Sequence, residues 1–349
     1  MNHINLKCRW INGDGKDLMQ ARTTIIIPNY NGLNFMEPCF EALRKQTVKD
    51  FEILVVDNGS TDGSVEWLKE NNIPSIFLPE NTGFTGAVNV GIKAANTPYV
   101  ILLNNDTAVE PRYVEALERA ISRSEKIFSV SSKVVQMYAP ELMDDAGDMY
   151  SVLGWAYQRG VGRSEKLYNK ARRVFSANAA AAIYRREVFE KIGLFDDMHF
   201  AYLEDVDIGY RAKLYGYDNI YCPDAVVYHV GSGTSAEGEK YSAFKVRLAA
   251  RNNIYLTYKN MGTWQLVLNF PCLAAGTFVK YLFFKKKGFG KEYVSGLKEG
   301  LKTRKQCKKV PSMPGRFAEE VKIQLELIWG TILYVYEFGR RQMAKISSK

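Results

Sequence analysis

Three carboxylates fall within four residues at Glu204-Asp205-Val206-Asp207, directly after Phe200, Tyr202 and Leu203. In the first turn of a helix such anions repel one another while the helix dipole stabilises them, and one of them can take a proton from a hydroxyl. A solvated acidic turn is the plainer reading, but the aromatic lead-in points to a semi-buried place. Asn104-Asn105-Asp106 closes the apolar stretch 99–103. Oxygen-bearing side chains there suit Mg2+ or Mn2+ bridging to a diphosphate, although only Asp106 carries charge and asparagines also make ordinary turns. His229 ends a later apolar stretch and is either a further ligand, since Mn2+ tolerates an imidazole, or a structural histidine. Asp57 closes the stretch 51–57, where a carboxylate can accept hydrogen bonds from a base or ribose, or cap the next helix. No GxSxG, HExxH or P-loop pattern competes, and the glycines after Ile27 do not form GxGxxG.

These residues need a frame. Residues 23–28, 51–57 and 99–103 are short β-branched or aliphatic runs that read as buried strands, and 75–78 as a further short one. Helical spacing separates them over 35–46, from about 62, and over 85–95. The alternation predicts an α/β fold, a mostly parallel sheet covered by helices on both faces. Ligands in such sheets sit beyond the carboxyl ends of the strands. Four polar clusters fall there: Pro28-Asn29-Tyr30-Asn31, Asp57-Asn58, Asn81-Thr82-Gly83 and Asn104-Asn105-Asp106. The stretch 122–229 reads as less regular, with 144–162 as a loop or hairpin, helices over 185–193 and about 206–215, and strand character over 219–228.

The 349 residues, 46% hydrophobic, suffice for one large core with a smaller appended unit, and the five scattered cysteines match neither a zinc site nor a disulfide framework. The net charge of +9 is uneven: from Lys245 onward 21 Lys and Arg face 6 Asp and Glu, a balance of +15 that leaves −6 for the rest. That tail predicts a helix over 249–260 and two aromatic-rich segments, 264–284 and 317–343. Asn269, Pro271 and Lys280 interrupt the first, so it reads as a helical segment lying in a membrane interface rather than crossing it. The alternative is a helical subdomain packed on the catalytic body. An anionic membrane surface is the expected partner, and nucleic acid is not. Residues 1–22 form a polar extension without the apolar core of a secretory signal, so the expected location is the cytoplasmic, inner face of the cell membrane.

In ordered sequence, Ile26-Ile27-Pro28-Asn29-Tyr30-Asn31, Val55-Val56-Asp57-Asn58-Gly59-Ser60-Thr61-Asp62-Gly63, Asn81-Thr82-Gly83-Phe84, Asn89, Gly91 and Leu103-Asn104-Asn105-Asp106 are followed by residues 179–185, Gly193-Leu194-Phe195-Asp196, residues 202–207 and His229. This set, spanning about residues 22–255, resembles the inverting family 2 glycosyltransferases of the GT-A fold, in their rhamnosyltransferase-like branch of bacterial polysaccharide and O-antigen assembly. The resemblance implies a catalytic domain over 23–245, with a nucleotide-sugar half over 23–120 and an acceptor half over 121–245, followed by a membrane-associating helical region over 246–349. It implies that Pro28, Tyr30, Asn31, Asp57 and Asn58 hold the nucleotide, that Gly83, Asn89, Asn104 and Asn105 shape the nucleotide-sugar cleft, and that Asp106 and His229 bind Mg2+ or Mn2+. It makes Asp205 the catalytic base beside Glu204, with Asp207 and Arg211 in support. Asn104 departs from the DxD metal motif and lowers the charge there. The implied reaction moves a sugar, with dTDP-rhamnose favoured as donor, from a nucleotide diphosphate to a glycan or lipid-linked acceptor. The competing readings are a non-catalytic nucleotide-sugar-binding or scaffold relative, which Asn104 favours and Glu204-Asp205 opposes, and a sugar nucleotidyltransferase, which would need a basic, glycine-rich loop after the first strand.

Overall fold

The computed structural model of the chain describes residues 21–231 and 241–347. Most of the N-terminal extension, with Cys8 and His3, lies outside the described residues. The aliphatic runs form the centre: β1 (Thr23–Asn29), β2 (Phe51–Asp57), β3 (Ser75–Phe77) and β4 (Tyr99–Leu103) pair in parallel in the order β3-β2-β1-β4. Connecting them are α1 (Leu33–Arg44), α2 (Ser64–Glu70) and α3 (Gly83–Ala94), and α4 (Tyr113–Ile121) comes later. Successive strand residues point to opposite faces, and both faces are covered. Ile25 and Ile27 enter one core with Phe40 and Leu43 of α1 and Leu117 of α4. Ile26, Val100 and Leu102 enter a second with Val88 and Ile92 of α3.

The stretch expected to be less regular extends this same sheet. It supplies β6 (Ile127–Gln136), β7 (Ala139–Asp145), a separate hairpin of β8 (Asp148–Tyr150) and β9 (Ala156–Gln158), β10 (Arg172–Val174), β11 (Ala181–Arg185) and β12 (Asp218–His229), while β5 (Thr107–Val109) comes just before α4. The main order is β10-β12-β6-β11-β4-β1-β2-β3, with β5 pairing with β12 and β7 with β6 to make ten strands. β11 lies antiparallel between β4 and β6, and β12 runs parallel to β6. The α/β sheet is therefore parallel through its first half and mixed through its second. Two helices frame the acceptor half, α5 (Arg186–Ile192) and α6 (Glu204–Leu214).

Four long helices follow: α7 (Ala243–Asn260), α8 (Thr263–Lys286), α9 (Gly290–Thr303) and α10 (Arg316–Ser347). The boundary expected at 245/246 falls in the first turn of α7. Leu256, Met261, Ile323 and Leu327 share a core with Tyr150, Val206, Tyr210 and Leu214, so these helices pack on α6 and β8. The segment is helical as expected, and Pro271 lies inside α8 without ending it. It removes one backbone bond at a cost of about 3 kcal/mol. Flanking contacts hold the helix through it: Asn269 and Gln324 of α10 exchange side-chain hydrogen bonds at 2.8 Å, and Gly276 lies against the Leu153 carbonyl. By length and composition α8 is able to cross a membrane, as the one such helix among the described residues. Its buried residues are Gln265, Asn269 and Gly276, while Val267, Leu268, Phe270 and Phe278 are exposed.

Candidate active site

The carboxyl ends of β1, β2 and β4 and the start of α3 meet in a cleft of about 720 Å³. Pro28, Tyr30, Asn58, Gly83, Asn104 and Asn105 line one wall; residues 200–202 and 242–245 line the other. A net of amides fixes the first wall. Asn29 Nδ2 donates to Asp57 Oδ2 at 2.7 Å and to Ser60 Oγ at 3.1 Å, while its Oδ1 accepts from Asn105 Nδ2 at 2.6 Å. Asp57 Oδ1 accepts from the Ser60 N–H at 3.0 Å. Asp57 is thus fully buried behind Asn29, with both oxygens engaged by the loop. Asn58 accepts from the Thr82 N–H and donates to the Gly83 carbonyl, which ties β2 to α3.

Besides Asp57, Asn31 and Asn89 are expected here and do not line the cleft. Asn31 accepts the Thr61 N–H at 2.8 Å and fixes the turn after β1. Asn89 is buried in α3, where it donates to the Phe195 carbonyl at 2.8 Å and to Asp197 at 2.7 Å. It therefore touches the segment leading to the opposite wall. Gly83 sits where the walls touch: its φ is +79°, and a Cβ there would lie 2.5 Å from the Phe200 carbonyl oxygen. Gly83→Ala is expected to force that contact apart and to weaken nucleotide-sugar binding about tenfold, a strain of 1–3 kcal/mol. Titration calorimetry with thermal denaturation as the folding control checks this.

Just beyond Asn105, β5 pairs with the end of β12, placing His229 opposite Thr107. Asp106 Oδ1 is buried and lies 3.3 Å from His229 Nε2. His229 Nδ1 lies 2.8 Å from Asp144 Oδ2. Burial alone would lower the imidazole pKa, but the two carboxylates outweigh it and raise it to about 10. His229 thus lies between two carboxylates, braced on Nδ1 by Asp144 and with Nε2 towards Asp106; a cation bound there would take the neutral ring and displace its proton. The donor set fits a divalent cation that takes two protein ligands and completes its shell elsewhere. No group of three or more His, Cys, Asp and Glu suited to a metal occurs among the described residues. Asp144 was not singled out from the sequence, where it showed only as the first residue of an acidic, glycine-rich stretch.

A second acidic group begins α6, directly after the strap 200–202 that lines the cleft. Leu203, at φ 66°, turns the chain so that Glu204 and Asp205 open the helix. Asp205 is half-buried, and its Oδ1 accepts the Val206 N–H at 2.7 Å. Burial raises its carboxyl above the ordinary range, partly offset by that bond and others. Glu204 is buried with Oε2 unpartnered, and burial followed by the Asp205 charge lifts it to about 8. Asp145 and Asp148, from β7 and β8, add two buried carboxyls; desolvation, then neighbouring acids, push Asp148 well above its usual value. Asp205 is thereby the most exposed acid of the group.

Asp207 and Arg211 face inward. Asp207 is fully buried and contacts Lys259 Nζ at 2.9 Å, Arg211 at 3.0 Å and Asn260 Nδ2 at 2.8 Å. Burial opposes its ionisation, but Lys259 and Arg211 outweigh it and hold the carboxyl far below the ordinary range. Arg211 also donates to the carbonyls of Ile192, Gly193 and Leu194, clamping α6 onto the end of α5.

Comparison with known proteins bears on the family and the fold. The model of the family "Glycosyl transferase family 2" matches residues 24–193. The chain is 28% identical over 276 residues to the N-acetylglucosaminyl-diphospho-decaprenol L-rhamnosyltransferase of Mycobacterium tuberculosis, spanning 70% of this chain and 87% of that protein. Among solved structures, GalNAc-T7 with UDP, GalNAc and Mn2+ superposes with a TM-score of 0.58 at 16% identity, covering 84% of this chain and 56% of that one. The mannosyltransferase PcManGT of Pyrobaculum calidifontis, in complex with GDP-Man and Mn2+, superposes at 0.50 and 16% identity, covering 90% of this chain and 85% of that one. The family match over residues 24–193, with the sheet that superposes on these structures, shows that the chain carries a family 2 glycosyltransferase domain with a GT-A-like fold.

Proposed function

We propose that this chain is an inverting transferase that moves a deoxysugar from a donor of the dTDP-rhamnose type to a prenyl-diphosphate-linked glycan at the cytoplasmic face of the membrane, in cell-surface polysaccharide synthesis. The observation that supports the proposal is a strand-end cleft with Pro28, Tyr30, Asn58 and Asn104 on one wall and, on the other, residues 200–202, which lead directly into Glu204 and Asp205 at the start of α6. The donor's base and ribose enter past Pro28, Tyr30 and Asn58, with Asp57 setting the loop through Asn29. The acceptor hydroxyl loses its proton to Asp205 as its oxygen bonds to the anomeric carbon. The bond from that carbon to the diphosphate breaks, and its electron pair leaves with the diphosphate. Asp106 and His229 would hold Mg2+ or Mn2+, which offsets charge on the departing group. The mycobacterial relative's name supports rhamnose and a prenyl-linked acceptor. Direct displacement inverts the centre, so the anomeric configuration of the new linkage, read by NMR, tests the reaction. Retained configuration would overturn it.

The membrane side of the proposal rests on α8 and α10. In water a helix buries its apolar face; α8 buries Gln265 and Asn269 and exposes Phe270 and Phe278, while α10 exposes Leu325, Trp329, Ile332 and Val335. That inversion suits hydrocarbon surroundings, with polar contacts joining the helices. Lys285, Lys286 and Lys287 end α8 and suit anionic headgroups. α9 returns to pack on α7, with Gly296 against the Arg247 carbonyl, so both ends of α8 stay with the catalytic body and it lies along the interface. The full chain is expected to sediment with vesicles of phosphatidylglycerol and phosphatidylcholine. Replacing Phe270 and Phe278 together by serine should reduce that binding at least about tenfold, since each buried aromatic contributes about 2 kcal/mol. Equal sedimentation of variant and wild type contradicts the membrane reading.

A further inference from the structure

The strap that joins the short helical turn Asp197–His199 to α6 forms part of the cleft wall and runs straight into Glu204 and Asp205. Its course is unfavourable. Phe200, Tyr202 and Leu203 adopt φ of 63°, 72° and 66°, a region that costs a residue with a side chain roughly 1–2 kcal/mol. Three such residues in four persist only if the surroundings hold them.

The holder is α7. Asn252 is fully buried, and its Nδ2 donates to the carbonyls of His199 at 2.9 Å, Ala201 at 2.8 Å and Tyr202 at 2.8 Å. The orientation of the amide is fixed by its neighbour: Arg251 Nε donates to Asn252 Oδ1 at 3.0 Å, which leaves the NH2 group facing the strap. Arg251 Nη2 adds bonds to the carbonyls of Met198 at 2.9 Å and His199 at 3.0 Å, and Glu299 of α9 holds the guanidinium at 3.2 Å. From the donor side, the Thr85 N–H donates to the Phe200 carbonyl at 3.2 Å. The strap is thus fastened to both halves of the cleft, and every bond from α7 is a donor to one of its carbonyls.

We propose that Asn252, oriented by Arg251, is a positioning residue for sugar transfer: its amide holds the strap 198–203 in the left-handed course that presents Glu204 and Asp205 to the cleft. The catalytic half of this proposal rests on Asp205 as the base. Two variants of the full chain discriminate a donor role from simple packing. Asn252→Asp keeps the shape but replaces the NH2 with a carboxylate oxygen facing three carbonyls; Asn252→Ala leaves space. A donor role makes the aspartate variant at least as defective as the alanine one, whereas packing makes it the milder of the two.

Hydrogen exchange read by mass spectrometry needs no substrate. Amides of residues 198–205 are expected to exchange at least tenfold faster in both variants, with β1, β2 and β4 unchanged. Unchanged exchange in 198–205 overturns the proposal. In transfer assays with dTDP-rhamnose, Asn252→Ala should lower kcat about 100-fold, the scale of a 1 Å misplacement, while the donor Kd stays within about threefold. Should the Asn252 variants fail to fold, Arg251→Lys serves in both measurements, since it loses the fork that bonds the strap and orients the amide; wild-type exchange and kcat in that variant overturn the proposal equally. Asp205→Asn assayed alongside separates the failures. Activity retained in that variant removes the base assignment, whereas an inactive Asp205→Asn beside a fully active Asn252→Ala removes only the strap's role.

Discussion

Asp205→Asn is expected to lower the transfer rate by about 10²–10⁴-fold while leaving the nucleotide-sugar Kd within about threefold of wild type. The argument is positional. Asp205 opens α6, is the most exposed member of a group of buried acids, and keeps one oxygen on the Val206 N–H. The amide of asparagine preserves that bond through its own oxygen, so the helix start survives. What disappears is the ability to take a proton from the acceptor hydroxyl. The pH dependence carries the same signature. Burial raises the Asp205 carboxyl, and a base works only when ionised, so kcat should fall as pH drops through a value above the ordinary carboxylate range. Glu204, lifted to about 8, is protonated over much of the working range. It is suited to donating a hydrogen bond to the acceptor rather than to removing a proton.

Lys259→Met is expected to destabilise the fold by about 3–5 kcal/mol, the cost of leaving a buried carboxylate without its partner. Lys259 is itself buried and answers two acids, Asp207 at 2.9 Å and Asp196 at 2.5 Å. Arg211 remains to Asp207 in the variant but is committed to three carbonyls. Linkage sets the pH dependence of the loss. In the wild type the Asp207 carboxyl is held far below its unfolded value, so the folded state binds fewer protons there than the unfolded state. That stabilisation is complete above the unfolded carboxylate pKa of about 3.9 and is lost as pH falls below it. Denaturant titrations at pH 7 and pH 3 should therefore show a large gap between wild type and Lys259→Met at neutral pH and a smaller one in acid. An equal gap at both would place the effect in packing.

Much of the fold is legible in the chain itself. β1, β2 and β4 announce themselves because a strand buried on both faces must be aliphatic throughout, and Ile25, Ile26 and Ile27 meet two separate cores. The polar clusters at their ends were visible for the complementary reason, that chain leaving a sheet must bond to itself or to a ligand. β6 was hidden because its interior is partly polar: Ser129 is buried against Asn219 and Ser132 against Tyr113, pairings the sequence does not disclose. Asp144 was missed because its partner His229 lies far along the chain. α8 runs through Pro271 with Gln324 and Leu153, distant in sequence, fastening it on either side. The bonds that Asp57 makes to Asn29 and to the Ser60 N–H, which fix the turn beside the cleft, likewise come only from the tertiary structure.

The central claim is that the ends of β1, β2 and β4 form a pocket for a nucleotide-diphosphate sugar. Isothermal titration of the full chain with a panel of UDP-, GDP- and dTDP-linked sugars, with Mg2+ or Mn2+ present, tests it most directly. Saturable binding of a pyrimidine nucleotide sugar, weakened in Gly83→Ala and preserved in Asp205→Asn, is the predicted result. Absence of binding across the whole panel, or binding indifferent to Gly83→Ala, would contradict it.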